Sequence, residues 1–420
     1  QLEQLYIDPS DPWGAAIPAQ FREVPVSVAC GGSLFVDVIS GVGRLTKQVL
    51  VTRRTSEEVF DKLACDELYA LFGADMWVGK VFGHLVGLAT GGLLISLAGR
   101  LWGRREAAVT AILWLGSGLI LFFEGELLLD SLFAGLCVLA LYLLLVERPS
   151  PRRLTLTGLA LGLAAITRPT ILVCLPAFAA WIYWHRGTRP WRRTVTFAAG
   201  LAIPLILVAG INSYALKRPV GIATQGGINF YVGNNPEATG YTAVLPDPWG
   251  YAWNYRQLAQ HASREVGREL DATEVSGFYY RRGWAWIAAE PGHAAYLAFK
   301  KLIISLSRIT ISNNLNLPYV QGQLPILQWL PVRLWWLVPP ALAGLARRGQ
   351  SGRARQVLWL CIGLYSVVFV LFFVTERFRL PLLPIWLLLA AYGAGVFWDG
   401  RSARRGMAAT LALMGIVIAF

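Results

Sequence analysis

Apolar runs long enough to cross a lipid bilayer recur along most of this chain. A helix needs about 20 mostly apolar residues to span the hydrocarbon core. Such runs lie near residues 77 to 98, 106 to 122, 127 to 146, 154 to 184, 194 to 213, 331 to 346, 356 to 374, 380 to 397 and 406 to 420. With 55% hydrophobic and 15% charged residues, the 420-residue chain is too apolar for an ordinary soluble domain. The pattern predicts an all-α polytopic membrane protein, because backbone groups in lipid must bond within their own helix.

One of these runs contains a break. The letters "TRPT" stand at residues 167 to 170, inside the run from 154 to 184. Proline interrupts the helical hydrogen-bond ladder, so two short crossings joined by a tight turn are expected there. Counting this run once or twice, we expect a bundle of roughly nine to eleven transmembrane helices.

The basic residues indicate how the chain is oriented. The net charge of +13 comes from short Lys and Arg clusters between apolar runs, and no long basic tail or basic face typical of nucleic-acid binding is found. Short basic loops stay on the cytoplasmic side of a membrane. Clusters begin at Arg100, Arg148, Arg186, Arg347 and Arg401. An even number of spans between neighbouring clusters then places the polar connections at 122 to 131, 167 to 170, 214 to 330 and 375 to 381 on the opposite, non-cytoplasmic face.

This orientation divides the chain into four regions. We expect an external N-terminal region at 1–76, an N-terminal transmembrane bundle at 77–213, a non-cytoplasmic subdomain of helices and loops at 214–330, and C-terminal transmembrane helices at 331–420. The stretch 298 to 312 combines apolar residues with basic ones, which favours an interfacial helix over a lone crossing.

Two charged residues stand at the expected outer ends of spans. Asp130 opens an apolar helix, and Arg168 lies in the "TRPT" turn. Asp130 is read either as a helix N-terminal charge or as a carboxylate at the rim of a membrane cavity. Arg168 is read either as a snorkelling side chain or as a partner for a phosphate or a distant carboxylate.

The segment "TERFRLP" carries a second group of charges. Glu376 and Arg377 fit an ordinary helix-end pair. Alternatively, Arg377 and Arg379 form a clamp for a lipid phosphate, since guanidinium groups match phosphate geometry at a lipid–water boundary.

The external region contains a turn-rich segment and a helix. The segment "GGINFYVGNNPEATGY" at 226 to 241 has glycines that favour tight turns. Its Asn229, Asn234 and Asn235 offer amides that both donate and accept, as sugar hydroxyls require. A structural loop whose Asn side chains bond to its own backbone is the alternative. Further on, Asp271 and Glu274 have capping-box spacing and predict a helix from about 272 to 289.

Acidic residues also occur ahead of the first apolar run. Asp37 lies in "SLFVDVIS", and Asp66 and Glu67 lie in "ACDELYALFG". They are read either as solvated helix-start acids or as a general base beside the membrane. The four His residues are scattered and the Cys residues have no ligand spacing, so no metal site is predicted.

Several segments together resemble a known family. They are, in chain order, "LYALFGADMWVGKVFGHLVGLATGGLLISLAGRLWGRR", "FFEGELLLDSLFAGLCVLALYLL", "GLALGLAAITRPTILVCLPA", "GGINFYVGNNPEATGY", "GWAWIAAEPGHAAYLAFKKL" and "TERFRLPLLPIW". From about residue 68 to 397 the chain resembles the polytopic GT-C glycosyltransferases, in particular the bacterial branch related to protein O-mannosyltransferases and the lipid A aminoarabinose transferase.

The resemblance implies a multi-pass enzyme of the bacterial plasma membrane with its site on the non-cytoplasmic face. Such an enzyme passes a sugar from a polyprenyl-phosphate carrier to a lipid, glycan or protein acceptor, with inversion and an acidic base in the first external loop. "DELYA" at 66 to 70 matches the expected Asp-Glu motif by letters, whereas Asp37 fits better by distance and lacks the following Glu. The family pattern also includes an earlier span, which residues 1–76 do not contain.

The candidate site residues follow from this resemblance. Those for catalysis are Asp37, Asp66, Glu67 and Asp130; those for phosphate are Arg168, Lys300, Arg377 and Arg379; and those for the sugar are Asn229, Tyr231, Asn234 and Asn235. The chemistry requires no cofactor, and a divalent metal is allowed but not indicated. Membrane lipids are expected as binding partners, and nucleic acid is not expected as one.

Two other kinds of function stay open. A non-catalytic subunit of a larger membrane complex would keep the fold without the reaction, and a glycan ligase or polymerase would differ mainly in its acceptor. A transporter is disfavoured, because its charges are expected in the middle of spans or in broken helices of repeated halves.

Overall fold

The structure is a computed structural model of the 420-residue chain. It describes residues 26–30, 34–37, 42–45 and 49–53 by their backbone, and in addition residues 76–126, 129–146, 150–184, 190–241, 245–246, 255–311, 317–345, 347 and 352–395. The chain divides into two compact units, Gln1–Ala74 and Asp75–Phe420.

The described residues of the first unit form four short antiparallel strands. They are β1 (Val26–Cys30), β2 (Leu34–Asp37), β3 (Val42–Leu45) and β4 (Val49–Arg53). Strand β2 pairs with β3, and β1 pairs with β4. The sequence pattern indicates an external region here and does not predict these strands.

Among its described residues, the regular secondary-structure elements of the second unit are all helices, which confirms the predicted all-α polytopic fold. The α-helices are α1 (Met76–Leu101), α2 (Arg104–Leu115), α3 (Gly118–Gly125), α4 (Asp130–Leu145), α5 (Pro151–Thr167), α6 (Leu175–Trp184), α7 (Pro190–Leu216), α8 (Gly226–Gly233), α9 (Tyr255–Val266), α10 (Ala272–Ala289), α11 (Pro291–Leu306), α12 (Leu317–Gln323), α13 (Pro325–Trp329), α14 (Leu334–Ala343), α15 (Gly352–Leu371), α16 (Glu376–Arg379) and α17 (Leu383–Ala394). Two 3₁₀ turns, Pro169–Cys174 and Leu380–Leu382, precede α6 and α17.

Within the described residues, three helices are long and apolar enough to cross a membrane alone, namely α1, α7 and α15. The pair α2 and α3 makes a fourth if it counts as one span bent by 57°. The other predicted runs that the structure describes form shorter helices. The run from 406 to 420 lies outside the described residues.

The apolar run from 154 to 184 is divided into two helices by the break at "TRPT". Helix α5 ends at Thr167, and the 3₁₀ turn begins at Pro169, so the predicted break at "TRPT" is confirmed. Helix α5 then packs closely against α7. A Cβ atom on Gly158 would lie 2.1 Å from the carbonyl oxygen of Phe197, and one on Gly200 would lie 2.1 Å from that of Thr155. Small residues of this kind let helix backbones approach in a membrane.

The segment between the spans α7 and α15 folds into helices α8 to α14. The predicted capping box is confirmed, because the Asp271 side chain accepts from the backbone of Thr273 and Glu274 while the Glu274 side chain accepts from that of Asp271. The segment at 226 to 241, which we call the Gly-Asn segment, begins with helix α8 and not with the expected turns. Its glycines allow close packing: a Cβ on Gly227 would lie 1.8 Å from the Ser276 carbonyl oxygen, and one on Gly233 would lie 2.0 Å from that of Phe372.

Candidate active site

Asp130, Arg168 and Arg377 meet in one cluster although 247 residues separate the first from the last. Arg377 donates from Nε to Asp130 Oδ2 at 3.0 Å, and Arg168 Nη2 pairs with Asp130 Oδ1. The Asp130 side chain is 1% exposed, whereas those of Arg168 and Arg377 are 15% and 21% exposed. The carboxylate therefore lies at the back of the cluster with both guanidiniums in front of it. We call these three residues the Asp130 cluster.

Local sequence explains how each residue reaches this point. Asp130 is the first residue of α4, where the positive end of the helix dipole favours a carboxylate. Arg168 has an extended backbone, with φ of −148° and ψ of 106°, because the following Pro169 disfavours the helical conformation. Arg377 lies on the four-residue helix α16, between the span α15 and the second 3₁₀ turn.

The Asp130 cluster has unused capacity to bind an anion. Two guanidiniums and one carboxylate leave one net positive charge. Among the described residues, Arg377 makes its hydrogen bond through Nε, and its two terminal nitrogens make none. Phe378 packs beside the cluster, with its ring centroid 5.8 Å from Cζ of Arg168. Planar donors beside an apolar ring suit a phosphate attached to a lipid chain.

Arg379 does not take part in this cluster. It donates from Nη1 to Glu376 Oε1 and to the Ile309 carbonyl, each at 2.8 Å, and from Nη2 to the Ile304 carbonyl. Its side chain is 3% exposed. The expected role in phosphate binding does not fit this geometry, because a guanidinium enclosed by a carboxylate and two carbonyls has no face left for a ligand. Glu376 pairs with Arg379, so the alternative in which Glu376 and Arg377 form a helix-end pair does not describe this structure. We call Glu376 and Arg379 the Arg379 pair.

The amides of Asn234 and Asn235 bond to protein backbone. Asn234 Nδ2 donates to the carbonyls of Phe230 and Leu371 at 2.8 and 2.7 Å, and Asn235 Nδ2 donates to that of Tyr231 at 2.9 Å. Both side chains are buried, at 7% and 0% exposure. This geometry corresponds to the structural alternative for the Gly-Asn segment, because these buried amides present no surface to a sugar.

Asn229 and Tyr231 lie on helix α8. Asn229 is half-buried. Tyr231 is buried, its ring lies 5.5 Å from that of Tyr279, and the guanidinium of Arg282 lies 5.7 Å from its centroid. Burial raises the pKa of the Tyr231 hydroxyl. Of the four sugar-binding candidates, Asn229 has the largest exposed fraction, and the roles of Asn229 and Tyr231 in sugar binding stay predictions.

Two neighbouring lysines on α11 have opposite surroundings. Lys300 is half-buried, and its Nζ lies 5.7 Å from the centroid of the Tyr241 ring. Lys301 is fully buried, and its Nζ donates to Asn234 Oδ1 at 3.2 Å and to the Val370 carbonyl at 2.9 Å. Burial lowers the pKa of Lys301 to about 7. Lys300 is the predicted site residue, and Lys301 is not among the predictions. The helical spacing of Leu297, Lys301 and Ile304 is the sequence pattern that indicates a shared buried face.

A pair on α1 and α3 was also missed. Glu124 is 8% exposed, and His84 Nδ1 lies 3.1 Å from Glu124 Oε2. The spacing of Gly83 and Gly87 indicates a close helix–helix contact at this point. A Cβ on either glycine would lie about 2 Å from an atom of Glu124. The described residues contain no group of three His, Cys, Asp or Glu side chains that could hold a metal ion.

The N-terminal acids lie in the other unit. Asp37 is the last residue of β2, opposite Val42 of β3, and its side chain is not described. Asp66 and Glu67 lie outside the described residues. The choice among these candidates for the catalytic base stays a prediction.

The comparison with protein families agrees with the resemblance. Residues 65–214, less than half of the chain, match the family described as dolichyl-phosphate-mannose-protein mannosyltransferase, which confirms the resemblance in that part. Among solved structures, the chain is similar to ArnT from Cupriavidus metallidurans, in the apo state and bound to undecaprenyl phosphate. Both comparisons give 18% identity and a TM-score of 0.30, and they cover 80% and 81% of this chain. The chain spans 66% and 68% of the ArnT chains. No curated protein matches.

Proposed function

We propose that this protein is a membrane glycosyltransferase that uses a polyprenyl-phosphate-linked sugar as donor. The observation that carries the proposal is the Asp130 cluster, which places two guanidiniums with one net positive charge beside an apolar ring. The family match over residues 65–214 supports the same class of donor, because dolichyl phosphate is a polyprenyl phosphate. Lipid, glycan and protein acceptors all fit this proposal.

The proposed reaction is one inverting displacement on the non-cytoplasmic face of the bacterial plasma membrane. A hydroxyl or amine of the acceptor attacks the anomeric carbon, the bond from that carbon to the phosphate oxygen breaks, and the polyprenyl phosphate departs. Negative charge grows on the departing phosphate, and fixed cations stabilise such a transition state. Arg168 and Arg377 supply these cations, and Asp130 holds both guanidiniums in place.

A carboxylate outside the Asp130 cluster takes the proton of the acceptor. Asp130 is 1% exposed and already bound by both arginines, so it is better suited to orientation than to proton transfer. Asp37 and the pair Asp66 and Glu67 are the candidates for this base. A positioned base contributes about 10²- to 10⁴-fold to such a rate.

Turnover of a panel of polyprenyl-phosphate sugars by the purified protein tests the proposal. We expect transfer from at least one donor, a large loss in Arg377→Met, and a loss in either Asp37→Asn or Asp66→Asn. No transfer from any donor, combined with no binding of undecaprenyl phosphate, would favour the non-catalytic subunit. Full activity in Arg377→Met would exclude the Asp130 cluster as the phosphate site.

A further inference from the structure

The Lys301 amino group is buried without a carboxylate partner among the described residues. Its side chain has 0% exposure. Nζ instead donates to the Val370 carbonyl at 2.9 Å and to Asn234 Oδ1 at 3.2 Å. Burying a polar or charged group is costly unless hydrogen-bond partners satisfy it. The two acceptors of Lys301 therefore show which part of the protein its burial stabilises.

Its backbone acceptor lies at the end of the long helix α15. The last four carbonyls of a helix have no partner within the helix, and that end carries the negative end of the dipole. Lys301 binds the Val370 carbonyl, and Asn234 Nδ2 binds the Leu371 carbonyl at 2.7 Å. Since Lys301 and Asn234 also bond to each other, side chains from α11 and from the end of α8 cap α15 together.

Between this cap and Arg377, backbone hydrogen bonds connect the chain to two other segments. Val374 N–H donates to the Gly240 carbonyl at 2.9 Å, and Glu376 N–H donates to the Ile311 carbonyl at 3.1 Å. The next residue, Arg377, reaches Asp130. Capping and backbone bonds thus continue from the end of α15 to the arginine of the Asp130 cluster.

We propose that Lys301 is a positioning residue for the phosphate site: with Asn234, it fixes the end of α15 so that Arg377 is directed at Asp130. This inference rests on the proposed function. Lys301 acts through Arg377 and does not touch the phosphate itself. Its effect on ligand binding therefore depends on the presence of Arg377.

A double-mutant cycle with undecaprenyl phosphate as the probe tests this dependence. The full chain in lipid nanodiscs is compared with Lys301→Met, Arg377→Met and the double variant. Contacting or coupled residues show interaction energies that correspond to about 2- to 150-fold, so we expect Lys301→Met to weaken binding about fivefold or more when Arg377 is present. In the Arg377→Met background we expect a change below about twofold. If Lys301 had a purely structural role, Lys301→Met would lower the melting temperature and leave the Kd of the folded protein unchanged, and that result would overturn the inference. It would also be overturned if the Kd of the double variant rose by the product of the two single-variant effects, since the residues would then act independently.

Amide hydrogen exchange supplies a readout that does not need the ligand. Lys301→Met should speed exchange at Val374 and Glu376, while Lys300→Met, one position away on the same helix, should leave it unchanged. If the wild-type protein does not bind undecaprenyl phosphate, the proposed function fails at that point, and exchange alone then decides whether Lys301 fixes the segment that carries Arg377. Wild-type exchange in Lys301→Met would overturn the inference.

A second variant covers the case in which Lys301→Met does not fold. Asn234→Ser keeps a polar side chain but cannot reach the Leu371 carbonyl. We expect the same faster exchange at Val374 and Glu376 and the same dependence of binding on Arg377. Unchanged exchange and unchanged binding in this variant would contradict the proposal.

Discussion

Arg377 and Arg379 lie two residues apart on the same short helix, yet they belong to different kinds of cluster. Arg379 is 3% exposed and bonds to Glu376 and two backbone carbonyls. Arg377 is 21% exposed and bonds to Asp130, which it shares with Arg168. The Arg379 pair balances its charges and is buried, whereas the Asp130 cluster keeps one net positive charge and has partly exposed guanidiniums. The first geometry serves stability, and the second keeps cationic groups accessible at the surface.

The largest expected effect is a loss of stability on removing one partner of the Arg379 pair. Arg379→Met leaves Glu376 buried without its partner, and breaking a buried ion pair in this way costs about 3 to 5 kcal/mol. We expect a clear fall in the midpoint of thermal unfolding in lipid nanodiscs. The variant Glu376→Gln with Arg379→Met removes both charges and should recover part of the loss. If Arg379→Met unfolded at the same midpoint as the wild type, the Arg379 pair would not be a buried ion pair that stabilises the protein.

The next effect concerns binding at the Asp130 cluster. Arg377→Met leaves Asp130 paired with Arg168, so we expect only a small change in stability. Hydrogen bonds to charged groups contribute about 1.5 to 3 kcal/mol, so the Kd for undecaprenyl phosphate should rise by about 10- to 150-fold. Arg379→Met is the matched control, and in its folded fraction the Kd should change far less. Equal losses of binding in both variants would erase the distinction between the two arginines.

Asp130→Asn sharpens the comparison from the other side of the cluster. The substitution removes the one negative charge between Arg168 and Arg377, and we expect a loss of about 1 to 3 kcal/mol in stability. Added undecaprenyl phosphate should then raise the unfolding midpoint more in Asp130→Asn than in the wild type, because the ligand supplies the missing negative charge. No such gain would argue against an anion site.

The smallest expected effect concerns Asp271, the N-terminal cap of helix α10. Partial burial acts to raise the pKa of Asp271, but hydrogen bonds from Thr273 and Glu274 and the charge of Arg218 lower it to about 2. The stabilisation by this carboxylate is therefore present above about pH 4 and is lost as the pH falls towards 2. Asp271→Ala should cost about 0.5 to 2 kcal/mol at neutral pH, and thermal unfolding at pH 7 and pH 3 should show a smaller difference between variant and wild type at pH 3. An equal difference at both values would exclude the cap.

Much of the helical fold could be predicted from the sequence, because the physical rules behind it are local. Apolar length predicted the helices of the second unit, Pro169 predicted the break after Thr167, and Asp271 with Glu274 predicted the start of α10. The structure also brings together Asp130, Arg168 and Arg377, which orientation rules had placed on the same face. Their role in the reaction stays a prediction.

Other features depend on long-range packing that no local pattern encodes. The direction of Arg379 follows from the carbonyls of Ile304 and Ile309, some 70 residues earlier in the chain. The glycines of α8 read as turn residues, yet they allow contact with Ser276 and Phe372. The contrast between Lys300 and Lys301 likewise depends on which face of α11 meets the end of α15.

Binding of undecaprenyl phosphate, compared with the uncharged alcohol undecaprenol, tests the central claim most directly. The wild-type protein in nanodiscs should prefer the phosphate by about tenfold or more, since two guanidiniums face it, and Arg377→Met should lose most of that preference while keeping its affinity for the alcohol. Equal affinity of the wild type for both lipids, or an unchanged preference in Arg377→Met, would contradict the assignment of the Asp130 cluster as the site of the lipid phosphate.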